Sequence, residues 1–388
     1  AVQQQEDPDR SGIDREREPP RVGMPGGPTG PKERKPSLTS RLGNAMFGKK
    51  KEATPPPPKQ NRRLSVAGDT HQSPIGDPNS RGTVIDQASN DWLRYFSLSN
   101  AGYEPDGHKK TNQDSFVSIH EFGDPSVSVF GVFDGHGSCG HLVSGYVKRE
   151  FPKALSKSLL KAETVKAEPD LKAIGKLLND AFVGVNNRLE VDKAVDSSLS
   201  GTTAVAGCIV GKSGSRKVVM GNAGDSRAII GYEDAEGKFK VKELSDDHKP
   251  DREDERARVL SYGGRVEPLI DEDGEPIGPH RVWLPNMMLP GLAMARSIGD
   301  DIAATVGVHA IPEIMTYDIT ERDKFMVIAS DGVWEFLSNE QVVEMVRACG
   351  EDGERAAREV CAKSYHEWRA EEEVVDDITC VVVHFQKW

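Results

Sequence analysis

Apolar positions along this chain recur with two periods, and the switch between them predicts the order of its elements. Residues 115–122 and 126–133 alternate or run apolar and predict two strands, while 138–162 and 170–190 carry helical spacing, split at Glu168-Pro169. Strands are expected at 201–210, 216–222 and 226–232, with Gly221-Asn222-Ala223-Gly224-Asp225 as the turn between the last two. A charged helix over 251–262 closes on Gly263-Gly264. Strands near 314–319 and 324–329 precede helices at 339–349 and 353–370, and 377–385 is the final strand. Strands in consecutive groups interrupted by paired helices predict an α+β fold, with sheets facing each other and helices outside, not alternating βαβ units.

Composition divides the chain near residue 90. Residues 1–90 hold 13 of the 24 prolines and one aromatic side chain, Phe47. Such a segment cannot bury enough apolar surface to offset its ordering entropy, so a disordered tail is expected before a domain at 91–388. Pro55 to Pro58 predict a short stiff piece within it. Residues 32–63 carry a net charge of +8 in a chain whose total is −12, so a basic tail precedes an acidic domain.

The acidic balance argues against a nucleic-acid partner. The five cysteines, Cys139, Cys208, Cys349, Cys361 and Cys380, form no Cys-x-x-Cys pair and predict reduced thiols. No apolar run reaches the roughly 18 residues of a membrane span, and the N-terminal residues carry no apolar signal core. A cytoplasmic or nuclear location and a monomeric state are the expectation.

Chemistry gathers where buried-looking strands end. Val129-Phe130-Gly131-Val132-Phe133 delivers Asp134-Gly135-His136-Gly137, Phe325-Met326-Val327-Ile328-Ala329-Ser330 delivers Asp331-Gly332, and Asp376-Asp377 precede Ile378-Thr379-Cys380-Val381. Converging carboxylates bind hard divalent cations, which points to metal-assisted hydrolysis. Asp-Gly after an apolar run is also a hairpin signal. Asp106-Gly107 and Asp273-Gly274, set in polar stretches, serve as internal examples of plain turns. His136, two residues from a candidate ligand, is placed for proton transfer.

These residues carry a family resemblance. Asp134-Gly135-His136-Gly137, Ser200-Gly201-Thr202-Thr203-Ala204, Gly224-Asp225-Ser226-Arg227-Ala228 and Asp247-His248-Lys249-Pro250 are followed by Ala295-Arg296-Ser297-Ile298-Gly299-Asp300, Ser330-Asp331-Gly332-Val333-Trp334 and Asp376-Asp377-Ile378-Thr379. In this order, over about residues 95–386, they resemble the metal-dependent protein phosphatases (PPM family, type-2C serine/threonine phosphatases). The resemblance implies two stacked antiparallel β-sheets flanked by helix pairs, with a site for two Mg²⁺ or Mn²⁺ ions at one end. By that match Asp134 bridges the ions, the Gly135 carbonyl binds one, and Asp331 and Asp376 complete the other's shell. A bridging hydroxide then attacks phosphorus in line, and His136 is the candidate general acid for the seryl or threonyl oxygen.

Two positions depart from the pattern. Asn112-Gln113-Asp114 stands where relatives often have Glu-Asp, leaving Gln113 to hold a metal-bound water and Asp114 a water-mediated or outer role in the metal site. Lys109 stands where many relatives place a phosphate-binding Arg, and Lys110 is the alternative; a lysine offers a point charge, not a planar fork. Asp196 matches a position that supplies a third, weaker metal, although position 335 is Glu. Asp225 and Asp300 read as structural turns. The 247–290 segment corresponds to a flap beside the site, with 271–276 as its acidic solvated tip.

The implied partner is a phosphoprotein. Arg62-Arg63-Leu64-Ser65 fits a basophilic kinase site, and phosphate on Ser65 would weaken docking of the basic tail on the acidic domain. Two other functions fit parts of the pattern: an inert pseudophosphatase that binds phosphoproteins, and a hydrolase of small phosphoesters. A kinase is disfavoured by the lack of a glycine-rich phosphate loop.

Overall fold

The strand β4 (Val127–Phe133) is buried at every position because both of its faces are covered. Val127, Val129 and Phe133 point to one side, into a core shared with helices, while Phe130 and Val132 point to the other, into a core between two sheets. This alternation recurs in β16 (Asp323–Ala329) and β17 (Ile378–Phe385). Phe325, Val327, Cys380 and Val382 face helices, and Met326, Ile328, Val381 and Val383 face the opposite sheet. Strands covered on both sides read as continuous apolar runs, which is why the sequence marks them so clearly. The computed structural model describes residues 82–159, 169–271 and 274–386, which fall in one compact unit. The Pro55–Pro58 piece, the basic 32–63 stretch and the Ser65 site lie outside the described residues.

One sheet has the order β1 (Thr83–Ser89), β2 (Leu93–Asn100), β17, β16, β9 (Arg227–Glu233), β10 (Phe239–Glu243). The facing sheet runs β15 (Glu313–Asp318), β8 (Lys217–Ala223), β7 (Ala204–Val210), β4, β3 (Ser115–Ile119). Neighbouring strands are antiparallel throughout both. Helices α1 (Gly140–Leu159) and α2 (Leu171–Glu190) cover the second sheet, with Phe151 edge-on to Phe133 at 5.9 Å and to Phe182 at 5.3 Å. The first sheet is covered by α6 (Asn339–Ala348), held at its start by a Ser338–Gln341 capping box, and α7 (Gly353–Glu371), capped by Asp352. The result is the expected α+β sandwich of two antiparallel sheets between helix pairs.

Three differences from the sequence reading have physical causes. The sheet starts inside the segment assigned to the tail, because β1 pairs along its length with β2. Its Thr-Val-Ile-Asp-Gln-Ala-Ser lies on an edge, where no continuous apolar run is needed. The 221–225 stretch is not simply a turn: Gly221–Ala223 belong to β8, and β9 lies in the other sheet, so Gly224–Ser226 is a crossover between layers. The 247–290 segment and its surroundings form more than a loop. Helix α3 (Glu253–Ser261) and a small sheet of β11 (Arg265–Ile270), β12 (Pro276–Trp283) and β13 (Pro290–Leu292) build a separate core from Val259, Val266, Val282 and Leu292. Proline in each of β12 and β13 hides them from a strand pattern, and small peripheral sheets tolerate it.

Candidate active site

Register brings the acidic residues to one end of the sandwich. Ser115 pairs with Phe133, so Asp114 and Asp134 lie side by side just beyond that pair. Ala329 pairs with both Cys380 and Arg227, so Asp331, Asp376 and Asp225, each two residues beyond its pair or its strand's start, emerge together on the other sheet. The outcome is electrostatically unfavourable without a counter-charge. Burial, then the neighbouring Asp331 and Asp114 charges, pushes the Asp134 carboxyl well above its ordinary range. Burial and the Asp225 and Asp376 charges push Asp331 up to about 7. Burial and Asp377 push Asp114 up as well.

The two Asp-Gly pairs in this cluster are not hairpin turns. A Cβ on Gly135 would sit 2.5 Å from both the Gln113 and Gly140 carbonyl oxygens, and one on Gly332 2.0 Å from the Asp377 carbonyl oxygen. Gly107 and Gly274, the plain-turn examples, instead have φ of 83° and 88° and open space around them. Glycine after Asp134 and Asp331 therefore permits close backbone approach behind each carboxylate, whereas at Gly107 and Gly274 it permits a left-handed turn. Asp331 also opens the short helix α5 (Asp331–Trp334) behind Ser330.

The donor set suits hard divalent cations. Asp331 Oδ1, Asp225 Oδ1 and Asp114 Oδ1 are buried oxygens with no hydrogen-bond partner, and unpaired oxygens on mutually repelling carboxylates are what a cation would satisfy. The other Asp114 oxygen accepts from Ser330 Oγ at 2.8 Å, so Asp114 sits beneath the cluster, tied to the strand end that carries Asp331. Asp377, buried, accepts from the backbone N–H groups of Gly102 and Gln113 at 2.7 Å each, fixing the loops on either side of Asp376.

The remaining candidates divide between the cluster's edge and positions away from it. The Gln113 amide nitrogen donates to the Gly137 carbonyl at 2.8 Å, which fastens the turn after His136. Lys110 Nζ lies 2.9 Å from Asp376 Oδ1. Lys109 turns away, its ammonium 5.9 Å from the centre of the Tyr103 ring. Asp196 is exposed and accepts from the Ser198 N–H and hydroxyl, and its charge bears on Asp301. It is not brought beside Asp134 or Asp331 by the strand register that assembles the others.

His136 forms β5 with Gly135 (Gly135–His136), and its Nε2 lies 2.7 Å from Asp300 Oδ2. Burial alone would lower its pKa, but Asp300, then Asp225 and Asp331, raise it above the ordinary histidine value. Asp225 and Asp300 were expected to be turn residues, and both are almost fully buried. Lys249 Nζ closes on Asp225 Oδ2 at 2.7 Å. The missed signal is that both carboxylates follow a glycine with positive φ, Gly224 and Gly299, an arrangement indistinguishable from a turn in sequence alone.

A second acidic group, His248, Glu255 and Glu313, has metal-like spacing. It does not suit a cation. Glu255 accepts from Arg258 at 2.7 and 2.6 Å and from Arg296 at 3.0 and 2.7 Å, while Arg252 bonds Glu313 at 2.5 Å. Three guanidinium groups already neutralise the carboxylates, and the network clamps α3 to β15.

The comparisons with known proteins agree with this geometry. A family model described as "Protein phosphatase 2C" matches residues 101–373. "Probable protein phosphatase 2C 35" of Arabidopsis thaliana is 37% identical over 328 residues, covering 80% of this chain and 89% of the relative. "Probable protein phosphatase 2C 75" of Oryza sativa subsp. japonica is 34% identical over 310 residues, covering 71% of this chain and 70% of the relative. The crystal structure of serine-threonine phosphatase 2C from Toxoplasma gondii shares the fold, with a TM-score of 0.65 at 21% identity over 78% of this chain and 99% of that one. Fold and family together define a phosphoric monoester hydrolase of the protein serine/threonine phosphatase class. The chain belongs to the protein phosphatase 2C family, whose members are metal-dependent.

Proposed function

We propose that this protein hydrolyses phosphoserine and phosphothreonine in proteins at the carboxylate cluster, with Asp134, the Gly135 carbonyl, Asp331 and Asp376 holding two Mg²⁺ or Mn²⁺ ions. The observation that carries the reading is the strand register, which delivers Asp134, Asp331 and Asp376 to one end of the sandwich with an unpartnered oxygen on Asp331. Divalent ions bound there would supply an activated water and offset the charge of the phosphoryl group.

The remaining steps fall to the chain's own groups. Lys110, at the cluster's edge beside Asp376, orients the phosphate by charge. Asp225, buried beside Asp331 and His136, lies near enough to serve a third, weaker ion, a better placed candidate than Asp196. His136 holds the proton that the seryl or threonyl oxygen takes as it leaves.

Release of phosphate from a phosphothreonine peptide tests the reading. The expected result is turnover with Mn²⁺ or Mg²⁺ that a chelator abolishes and fresh metal restores. Full turnover in chelator would rule it out.

A further inference from the structure

The mini-sheet beside the acidic cluster brings one buried carboxylate to His136. β5 pairs with β6 (Gly201–Thr202), His136 opposite Gly201, and β6 pairs with β14 (Ile298–Gly299), Gly299 opposite Gly201. His136 and Asp300, the residue after β14, therefore flank one glycine from its two sides. That position admits no other residue, because a Cβ on Gly201 would lie 2.0 Å from Asp300 Oδ2 and 2.8 Å from His136 Nε2. The two side chains meet across the space a larger residue would fill.

Asp300 is itself tightly held. It is 1% exposed, and its backbone is left-handed at φ 54°, an unusual conformation for a residue with a side chain. Its N–H donates to the Ser200 carbonyl at 3.0 Å, and Ser297 Oγ donates to the same Oδ2 that meets His136, at 2.5 Å. Asp300 has no other charged partner among the described residues, unlike Asp225, which Lys249 neutralises. Its backbone opens the short helix Asp301–Ala304, and its second carboxylate oxygen is buried without a hydrogen bond.

We propose that Asp300 is a positioning residue for the phosphatase reaction: by binding Nε2 it fixes the plane of the His136 ring and leaves Nδ1, buried and without a hydrogen-bond partner, as the nitrogen that gives its proton to the leaving oxygen. This deepens the proposed function and rests on His136 being the proton donor. The proton moves from Nδ1 to the seryl or threonyl oxygen as its bond to phosphorus breaks, which leaves the imidazole neutral with its remaining proton on Nε2, toward Asp300. The arrangement is a carboxylate behind a histidine, with Ser297 and Gly201 fixing the carboxylate.

Leaving-group dependence separates positioning from a structural role. p-Nitrophenolate leaves without needing a proton, whereas a threonyl alkoxide does not, so kcat is compared for p-nitrophenyl phosphate and a phosphothreonine peptide in His136→Ala, Asp300→Asn and the double variant. Mn²⁺ affinity and urea midpoint serve as controls for folding. Asp300→Asn is expected to lower kcat on the peptide by about 10- to 100-fold, with KM and p-nitrophenyl phosphate turnover within about threefold. The double variant is expected to match His136→Ala alone, because both changes disable one unit. Ser297→Ala, a milder loosening of Asp300, is expected to give a smaller loss of the same selective kind.

Selective loss in His136→Ala with equal slowing of both substrates in Asp300→Asn overturns the positioning role and leaves the acid role standing. Losses that multiply in the double variant overturn it too. Equal slowing of both substrates in His136→Ala overturns the acid role itself, and the positioning role with it.

Discussion

Lys110 Nζ lies 2.9 Å from Asp376 Oδ1, a cation set against a carboxylate at the edge of the acidic cluster. Its neighbour Lys109 instead bridges to Tyr103 and carries its ammonium over that ring. Sequence left the two lysines equivalent, and backbone direction separates them. Lys110→Ala is expected to lower kcat/KM for a phosphopeptide by about tenfold, chiefly through KM, as loss of a phosphate-orienting charge does. Lys109→Ala is expected to stay within about twofold. Steady-state kinetics on both variants checks this, and the reverse ranking would return the phosphate grip to Lys109.

The Glu255 network is expected to be structural. Glu255 is fully buried and takes bonds from Arg258 and Arg296. Removing one member of a buried ion-pair network leaves the others uncompensated, a loss of about 3–5 kcal/mol. Urea unfolding of Glu255→Ala should show a loss of that order, with Glu255→Gln intermediate. A change below about 1 kcal/mol would contradict the role of the network as a clamp.

Buried histidines predict acid sensitivity. Burial, then the Arg94 charge, lowers His384 to about 4, and burial with Arg296 lowers His248 to about 4. Each takes up its proton near 6.5 when unfolded, so the unfolded chain binds more protons between pH 6.5 and 4 and stability falls as pH falls through that window. The Asp331 carboxyl, raised to about 7, works in the opposite sense in metal-free protein, so a variant is needed to isolate the histidine. The stability difference between wild type and His384→Gln should shift by about 2 kcal/mol between pH 7 and 5, the wild type losing more. Urea midpoints at pH 7, 6 and 5 measure it, and parallel curves would remove His384 from the account.

How legible the protein was follows from where its information lies. The central strands β4, β16 and β17 are apolar on both faces, so their sequence marks both their position and the carboxylates at their ends. Asp134, Asp331 and Asp376 were found that way. Peripheral elements carry no such mark: β1 has neither a continuous apolar run nor a regular alternation, and β12 and β13 contain proline. Asp225 and Asp300 escaped for a different reason. Each looks like a glycine turn in one dimension, and only the crossover after β8 and the pairing of β6 with β14 bring them to His136 and Asp331. The bond from Gln113 to the Gly137 carbonyl is not legible in sequence, because its partner lies 24 residues away.

Binding of Mn²⁺ to wild type and to Asp331→Asn, measured by titration calorimetry with phosphate release followed on the same samples, tests the central claim most directly. The carboxylate cluster as the metal site predicts saturable binding by wild type. In Asp331→Asn it predicts at least about tenfold weaker binding and at least about 10²-fold slower phosphate release. Unchanged Mn²⁺ affinity together with unchanged turnover in Asp331→Asn would contradict it.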